Sequence, residues 1–290
     1  MRRSLILPLC LLSGCGGGSD GPAKVEPLDE ETVAIFSFDR EAALAATEGE
    51  TATGKGVVLK GISYASPGGG RVSGIVARPE TPVAKPAGVL FMHGSGGSRA
   101  DFLDEATDVA ARGAVAVTID SAFTRSTRAD VRAGTESFET TRKLMVQTVQ
   151  DLERGLDLLV RRYGADPERL AIVGYSMGVQ SAALTAALDA RVRALVVMAG
   201  RAYPSGRSGD PEVERVFGPL DTVRYIDNVA PAAIFFQGGS RDTVIPRAEM
   251  EALFAAASEP KEIRWYPTGH ELLNTKPDPL AWLRRQLALK

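Results

Sequence analysis

Ala171-Ile-Val-Gly-Tyr-Ser-Met-Gly-Val179 runs from apolar residues into a glycine-flanked serine and out again into small residues. Such a run reads as a buried strand, a tight turn and the start of a helix. Its centre, Gly174-Tyr175-Ser176-Met177-Gly178, has the Gly-x-Ser-x-Gly spacing of a nucleophile elbow, which lifts a serine hydroxyl clear of the carboxyl end of a strand. Geometry accounts for the glycines. The turn strains the backbone at Ser176, and a side chain two residues to either side would strike the adjoining strand or helix. Glycine and serine are common enough for the pattern to arise by chance, so its meaning depends on what surrounds it.

Around it lie 290 residues, enough for one large α/β domain with a sizeable core or for two small ones. The 44% apolar and 24% charged content is ordinary for a globular chain. A formal charge of −2 supplies no basic surface, so no nucleic-acid partner is expected. His93 and His270 are the only histidines, which excludes almost every histidine-rich metal site; no metal and no cofactor are expected. Cys10 and Cys15 both fall in the first fifteen residues, so the body has neither a disulfide nor a cysteine nucleophile.

Short apolar runs punctuate the body. Val57–Tyr64 and Val72–Arg78, joined by Ser66-Pro-Gly-Gly-Gly70, read as a hairpin. Strands are then expected at Val89–Met92, Ala114–Ile119, Leu170–Val173, Ala194–Met198, Ala232–Phe236 and Ile263–Tyr266, eight in all. Helices are expected between them: Ser98 to Arg112 with Ser98 and Asp101 spaced as a capping box, Phe138 to Arg162, Val179–Leu188, Pro246–Ala257 and Pro279–Leu289. Apolar strands alternating with helices predict an α/β fold with a mostly parallel sheet covered on both faces. Residues 29–54 are expected to form an N-terminal arm, weakly helical over 29–48, that docks Val33, Ile35, Phe36 or Phe38 on a domain spanning 55–290.

From about residue 55 onward the chain resembles an α/β-hydrolase, with Ser176 after the fifth expected strand, where that family carries its elbow. The resemblance implies an eight-stranded sheet and a nucleophile, acid, histidine order. Gln237-Gly-Gly-Ser-Arg-Asp242-Thr-Val-Ile-Pro246 after the seventh strand matches the family's acid turn, and Trp265-Tyr-Pro-Thr-Gly-His270 places a histidine after the eighth. Those positions imply Ser176 as nucleophile, His270 as base and Asp242 as orienting acid, all at one edge of the sheet. Asp221 and Asp227 precede their strand and so lie at the wrong end. Met92-His93-Gly94-Ser95-Gly96-Gly97 resembles the family's oxyanion loop; the amide of Ser95, or next that of Gly94, would join that of Met177, with His93 bracing the loop.

The closest resemblance within that family is to the dienelactone-hydrolase-like and acetyl-xylan-esterase-like branch, including Gly61-Ile-Ser-Tyr-Ala-Ser-Pro-Gly-Gly-Gly-Arg71. It implies a serine hydrolase acting on a small carboxylic ester. Serine stands where typical dienelactone hydrolases use cysteine, and fold alone leaves esters, thioesters and amides open. The alternative of a different kind is a non-catalytic envelope lipoprotein that uses the hydrolase fold as a binding module. Gly200–Ala230 must carry a return helix near Pro211–Phe217, leaving a small cap or none, with Phe123, Arg201 and Tyr203 as rim residues. Arg125, Arg128 and Arg132 would either recognise a substrate anion or form a solvated charged loop.

Residues 1–14 combine Arg2 and Arg3 with an apolar run too short to span a bilayer, and so read as a signal peptide. Leu12-Ser13-Gly14-Cys15 resembles the lipobox of bacterial lipoproteins, which implies lipidation of Cys15 after cleavage before it. Residues 15–28 would then be a flexible tether of about 20 Å. The expected location is the bacterial cell envelope, anchored to a membrane by lipid.

Overall fold

Consecutive residues of the central strands pack into opposite cores, which is why those strands read as unbroken apolar runs. Leu90 and Met92 join one core with Ile172, Leu195, Val197 and Phe236, while Val89 and Phe91 join another with Ala171, Val173, Val196 and Phe235. Both faces of the sheet are therefore covered. A computed structural model of the chain describes residues 25–126, 138–201, 209–272 and 279–290. The expected signal peptide, the lipidation site Cys15, and Arg128, Arg132 and Tyr203 lie outside the described residues.

The first described elements are helix α1 (Glu30–Ile35), strands β1 (Thr47–Gly54), β2 (Val57–Ala65), β3 (Arg71–Pro79) and β4 (Gly88–Met92), helix α2 (Leu103–Ala111) and strand β5 (Val115–Ile119). Helices α3 (Ala122–Arg125) and α4 (Phe138–Arg161) precede strand β6 (Leu170–Tyr175), helix α5 (Gly178–Leu188) and strand β7 (Val192–Met198). Helix α6 (Pro211–Phe217), strand β8 (Ala233–Gly239), helix α7 (Arg247–Ala256), strand β9 (Lys261–Tyr266) and helix α8 (Pro279–Leu287) complete the order.

The sheet runs β1-β2-β3-β5-β4-β6-β7-β8-β9. Its first four members pair antiparallel, and every pairing from β5 through β9 is parallel. Chain order and spatial order part at β4, which lies between β5 and β6. The chain leaves β4 towards α2 on one face and leaves β6 towards α5 on the other. Met92 and Gly174 are level in the register, so a crevice opens where the two connections diverge.

Three expectations need correction. The sheet has nine strands rather than eight, because Thr47–Gly54, placed in the arm, pairs antiparallel with β2. All eight of its residues are exposed, so no apolar alternation marks it, and its order comes from pairing with β2 and from the ties of Glu48 to Lys60, Arg162 and Tyr163. The arm helix is only Glu30–Ile35, capped by Asp29, whose carboxylate accepts the Thr32 N–H at 2.7 Å. Of the four apolar residues proposed for docking, Phe36 is buried and Val33 is 44% exposed. Third, α2 starts at Leu103, not Ser98. Asp101 accepts the Ser98 N–H at 3.3 Å within a turn that ends before the helix.

Phe36 enters a third core with Met145, Val149, Leu184, Phe217 and Tyr225, between the arm, α4, α5 and the α6 region. Met145 is also a wall of the cavity described next, so this core supports the site from below.

Candidate active site

At Ser176 the backbone adopts φ +53°, a left-handed conformation that costs a non-glycine residue energy. The turn is held by the Ser176 N–H, which donates to the Met198 carbonyl of the neighbouring β7 at 2.8 Å. The flanking glycines have no alternative. A β-carbon at Gly178 would come within 2.4 Å of the His93 carbonyl oxygen, and one at Gly174 within 2.8 Å of the Ala182 β-carbon. One glycine thus admits the loop after β4 and the other admits α5.

The turn presents Ser176 Oγ 2.9 Å from His270 Nε2. On the far side of the ring, Nδ1 lies 2.8 Å from Asp242 Oδ2. The Asp242 side chain is 3% exposed and that of His270 is 16%. The second Asp242 oxygen accepts the N–H groups of Val244 at 2.8 Å and Ile245 at 2.9 Å, so the acid turn holds its own carboxylate. With Oδ1 committed to those amides, Oδ2 faces Nδ1. That leaves Nε2 as the atom able to accept a proton from the serine hydroxyl. The structure therefore brings together the three side chains named from sequence.

Ser95 and Met177 flank the same space. Neither amide N–H has an acceptor among the described residues, and Met177 caps the N-terminus of α5, where the helix directs positive partial charge. Gly94 lies against the elbow: a β-carbon there would meet that of Ser176 at 3.1 Å. His93 is 1% exposed and spans the base of the loop. Its Nδ1 donates to the Gly94 carbonyl at 2.7 Å, and its Nε2 accepts the Ser121 N–H at 3.1 Å. Those two bonds require a neutral ring and suit a brace.

Several supporting residues escaped the sequence reading. Asp120, at the end of β5, accepts the Arg99 N–H at 2.8 Å and pairs with the Arg99 guanidinium, pinning the far end of the loop after β4. Thr124 donates to the Gly97 carbonyl at 3.2 Å. The only signal was position, since Asp120 follows directly on an apolar strand and Thr124 lies in the short helix after it.

A cavity of about 350 Å³ opens at Ser176. Phe123, Met145, Val244 and Ile245 give it an apolar side; Thr141, Gln180 and Arg201 give it a polar one. Phe123 and Arg201 are thus in its wall. Arg125 is not. Its guanidinium pairs with the buried Asp151 and donates to the Arg71 carbonyl at 3.0 Å, so it anchors α3 and is turned away from the cavity. Larger grooves, about 530 Å³ over β1–β3 and about 550 Å³ beside Arg125, include none of Ser176, Asp242 and His270 in their walls.

A serine at a strained strand-to-helix turn, with an imidazole and a carboxylate in line, defines an α/β-hydrolase by fold and site. The sequence pattern of the dienelactone hydrolase family matches residues 72–285, and the chain belongs to that family. At the level of the family it is a hydrolase. No curated protein matches it in sequence. Among solved structures it is similar to the acetyl xylan esterase from Paenibacillus sp. R4, with a TM-score of 0.73 and 21% identity over 89% of this chain and 92% of that one. It is also similar to acetyl xylan esterase 1 from Thermoanaerobacterium sp. JW/SL YS485, with a TM-score of 0.68 and 18% identity over 92% and 95%. A cold-adapted esterase from an Arctic intertidal metagenomic library gives a TM-score of 0.66 and 20% identity over 82% and 98%.

Proposed function

We propose that the chain is a serine hydrolase that cleaves a carboxylic ester through an acyl-enzyme on Ser176. The observation that carries this reading is the unbroken line from Ser176 Oγ through His270 to Asp242, opening on a cavity. Ser176 Oγ attacks the ester carbonyl carbon as His270 Nε2 takes the hydroxyl proton. Asp242 keeps Nδ1 protonated and stabilises the imidazolium that forms. The carbonyl oxygen, now negative, is received by the amides of Met177 and Ser95, with that of Gly94 as the alternative to Ser95. Collapse breaks the bond to the leaving alcohol, which takes the proton from His270. Water then gives a proton to His270, attacks the acyl carbon and releases the carboxylic acid, and Ser176 regains its proton.

A fluorophosphonate probe applied to the purified protein and to Ser176→Ala tests this. Labelling of the first and not of the second is expected, together with a loss of p-nitrophenyl ester hydrolysis of about 10⁴-fold or more. Labelling of neither would overturn the proposal in favour of a binding module. A p-nitrophenyl series of increasing acyl length, with thioester and amide counterparts, then defines the acyl group and the bond cleaved.

We also propose that lipid on Cys15 anchors the protein in the bacterial cell envelope, supported by Leu12-Ser13-Gly14-Cys15 and the glycine-rich residues after it. Among the described residues no helix is long and apolar enough to cross a membrane. Membrane association that survives Cys15→Ser would sink the anchor.

A further inference from the structure

Tyr175 fills the variable position just before Ser176 and ends β6. Its hydroxyl donates a 2.8 Å hydrogen bond to the backbone carbonyl of His270. Its ring centre lies 5.4 Å from that of the imidazole. On its other flank the ring borders the loop after β4, where a β-carbon on Gly94 would meet Tyr175 Cδ1 at 3.0 Å. The phenol therefore fills the space between the loop of oxyanion donors and the loop of the base.

His270 belongs to no strand or helix, so its position depends on how its loop is tied. Upstream, the Arg241 N–H donates to the Thr268 carbonyl at 2.9 Å and the Arg241 guanidinium donates to that of Pro267. These ties join the base loop to the acid turn. At His270 itself the carbonyl accepts from Tyr175 and, at 2.8 Å, from the N–H of Leu272 in the same loop. Asp242 sets the rotation of the imidazole through Nδ1 but does not hold its backbone. Tyr175 holds that backbone from the strand that carries the nucleophile.

We propose that Tyr175 is a positioning residue for ester hydrolysis, tying the His270 backbone to β6 so that Nε2 stays within reach of Ser176 Oγ. The inference rests on reading Ser176, His270 and Asp242 as the reacting set. Burial first, and then the carboxylates of Glu271, Asp242 and Asp101, hold the phenol above its ordinary pKa. It therefore stays a donor at the near-neutral and mildly alkaline pH where a neutral imidazole acts as base.

Tyr175→Phe keeps the ring and removes only the hydroxyl. With p-nitrophenyl acetate, kcat falls about three- to tenfold, the worth of one net hydrogen bond, while KM is unchanged. In a His270→Ala background the same substitution leaves the residual rate unchanged, because no base remains to be positioned. An unaltered kcat, a loss carried by KM, or an equal loss in both backgrounds would overturn the proposal. A second readout needs no turnover. The chain has two histidines, so ¹⁵N-histidine labelling gives two rings to follow by NMR. The His270 Nδ1–H signal broadens or shifts in Tyr175→Phe while that of His93 does not; an unmoved His270 signal overturns the positioning role. If the wild type hydrolyses no ester, this spectrum still reports on the tie, so failure of the tie and failure of the esterase reading are distinguishable.

Discussion

Two regions of this molecule hold charged and polar side chains away from bulk water, and only one of them faces a space that a substrate could enter. At the carboxyl edge of the sheet, Ser176, His270 and Asp242 converge on a cavity, and the Ser95 and Met177 amides beside it have no acceptor among the described residues. Along α4, Gln150, Asp151, Glu153, Arg154 and Asp157 are buried in succession. There most of the polar groups are turned towards a carbonyl or an opposite charge, with Asp151 Oδ1 left unpartnered. Arg154, 2% exposed, donates to the carbonyls of Arg40 at 3.1 Å and Ala42 at 2.6 Å, and to Asp157 at 3.0 Å. The Gln150 amide donates to the Ser37 carbonyl at 3.1 Å, and Glu153 pairs with Arg40. Desolvation, outweighing neighbouring arginines, pushes Asp151 up to about 6 and Glu153 up to about 7. Shifted carboxyl groups are often taken as markers of reactive sites. Here Asp151 marks the place where Arg125 anchors α3, and Glu153 the place where the N-terminal arm is stapled to the domain. What separates the regions is an opening beside the serine and its neighbouring amides, more than burial or a displaced pKa.

That contrast can be broken by substitutions whose effects should fall on different measurements. Asp242→Asn should have the largest effect, lowering kcat by about 10³- to 10⁴-fold because the imidazole is no longer held in the working tautomer. Its melting temperature should stay within a few degrees of the wild type, since Oδ1 can still accept the Val244 and Ile245 amides. Arg154→Met should do the reverse. Removing one member of a buried cluster leaves two carbonyls without their donor and Asp157 with Arg191 alone, and costs about 3 kcal/mol, a drop of several degrees by calorimetry. The protein that remains folded should keep its kcat/KM. A large activity loss in Arg154→Met at a temperature where it is fully folded would remove the division between a reacting region and a stapling one.

The reacting region was far more legible than the stapling one, for a physical reason. Elbow, acid turn and histidine each depend on local backbone shape, so glycines and strand ends within a few residues announce them. Gly174 and Gly178 are legible because the close contacts with α5 and the loop after β4 forbid any side chain. The order of the arm is set by distant partners instead. Arg154 meets Ala42 across 112 residues, and β1 is ordered by pairing with β2 while burying none of its own residues. Arg125 read as a free cation in a polar loop, because nothing near it in sequence reveals Asp151. Tyr175 was overlooked for the same reason. Its motif position is variable, and its purpose lies 95 residues ahead, at the His270 carbonyl.

A change of pH tests whether the stapling region is closed to water. Unfolded, the Glu153 carboxyl titrates near its ordinary value of 4.5, whereas in the fold it is pushed up to about 7. The folded chain therefore holds the proton more tightly, and the stability that this gives is complete below about pH 4.5 and lost as pH rises through about 7. Gln at this position can still accept from Arg40 and cannot ionise. Asp151 remains in both proteins, so its own titration cancels in the difference. Melting temperatures measured from pH 4 to pH 8 should show Glu153→Gln close to the wild type at the acid end, drawing ahead between about 4.5 and 7, and parallel to it above. A constant gap across that range would mean that water reaches Glu153 and lets it titrate normally. The arm would then be a loosely applied cover and not a sealed part of the domain.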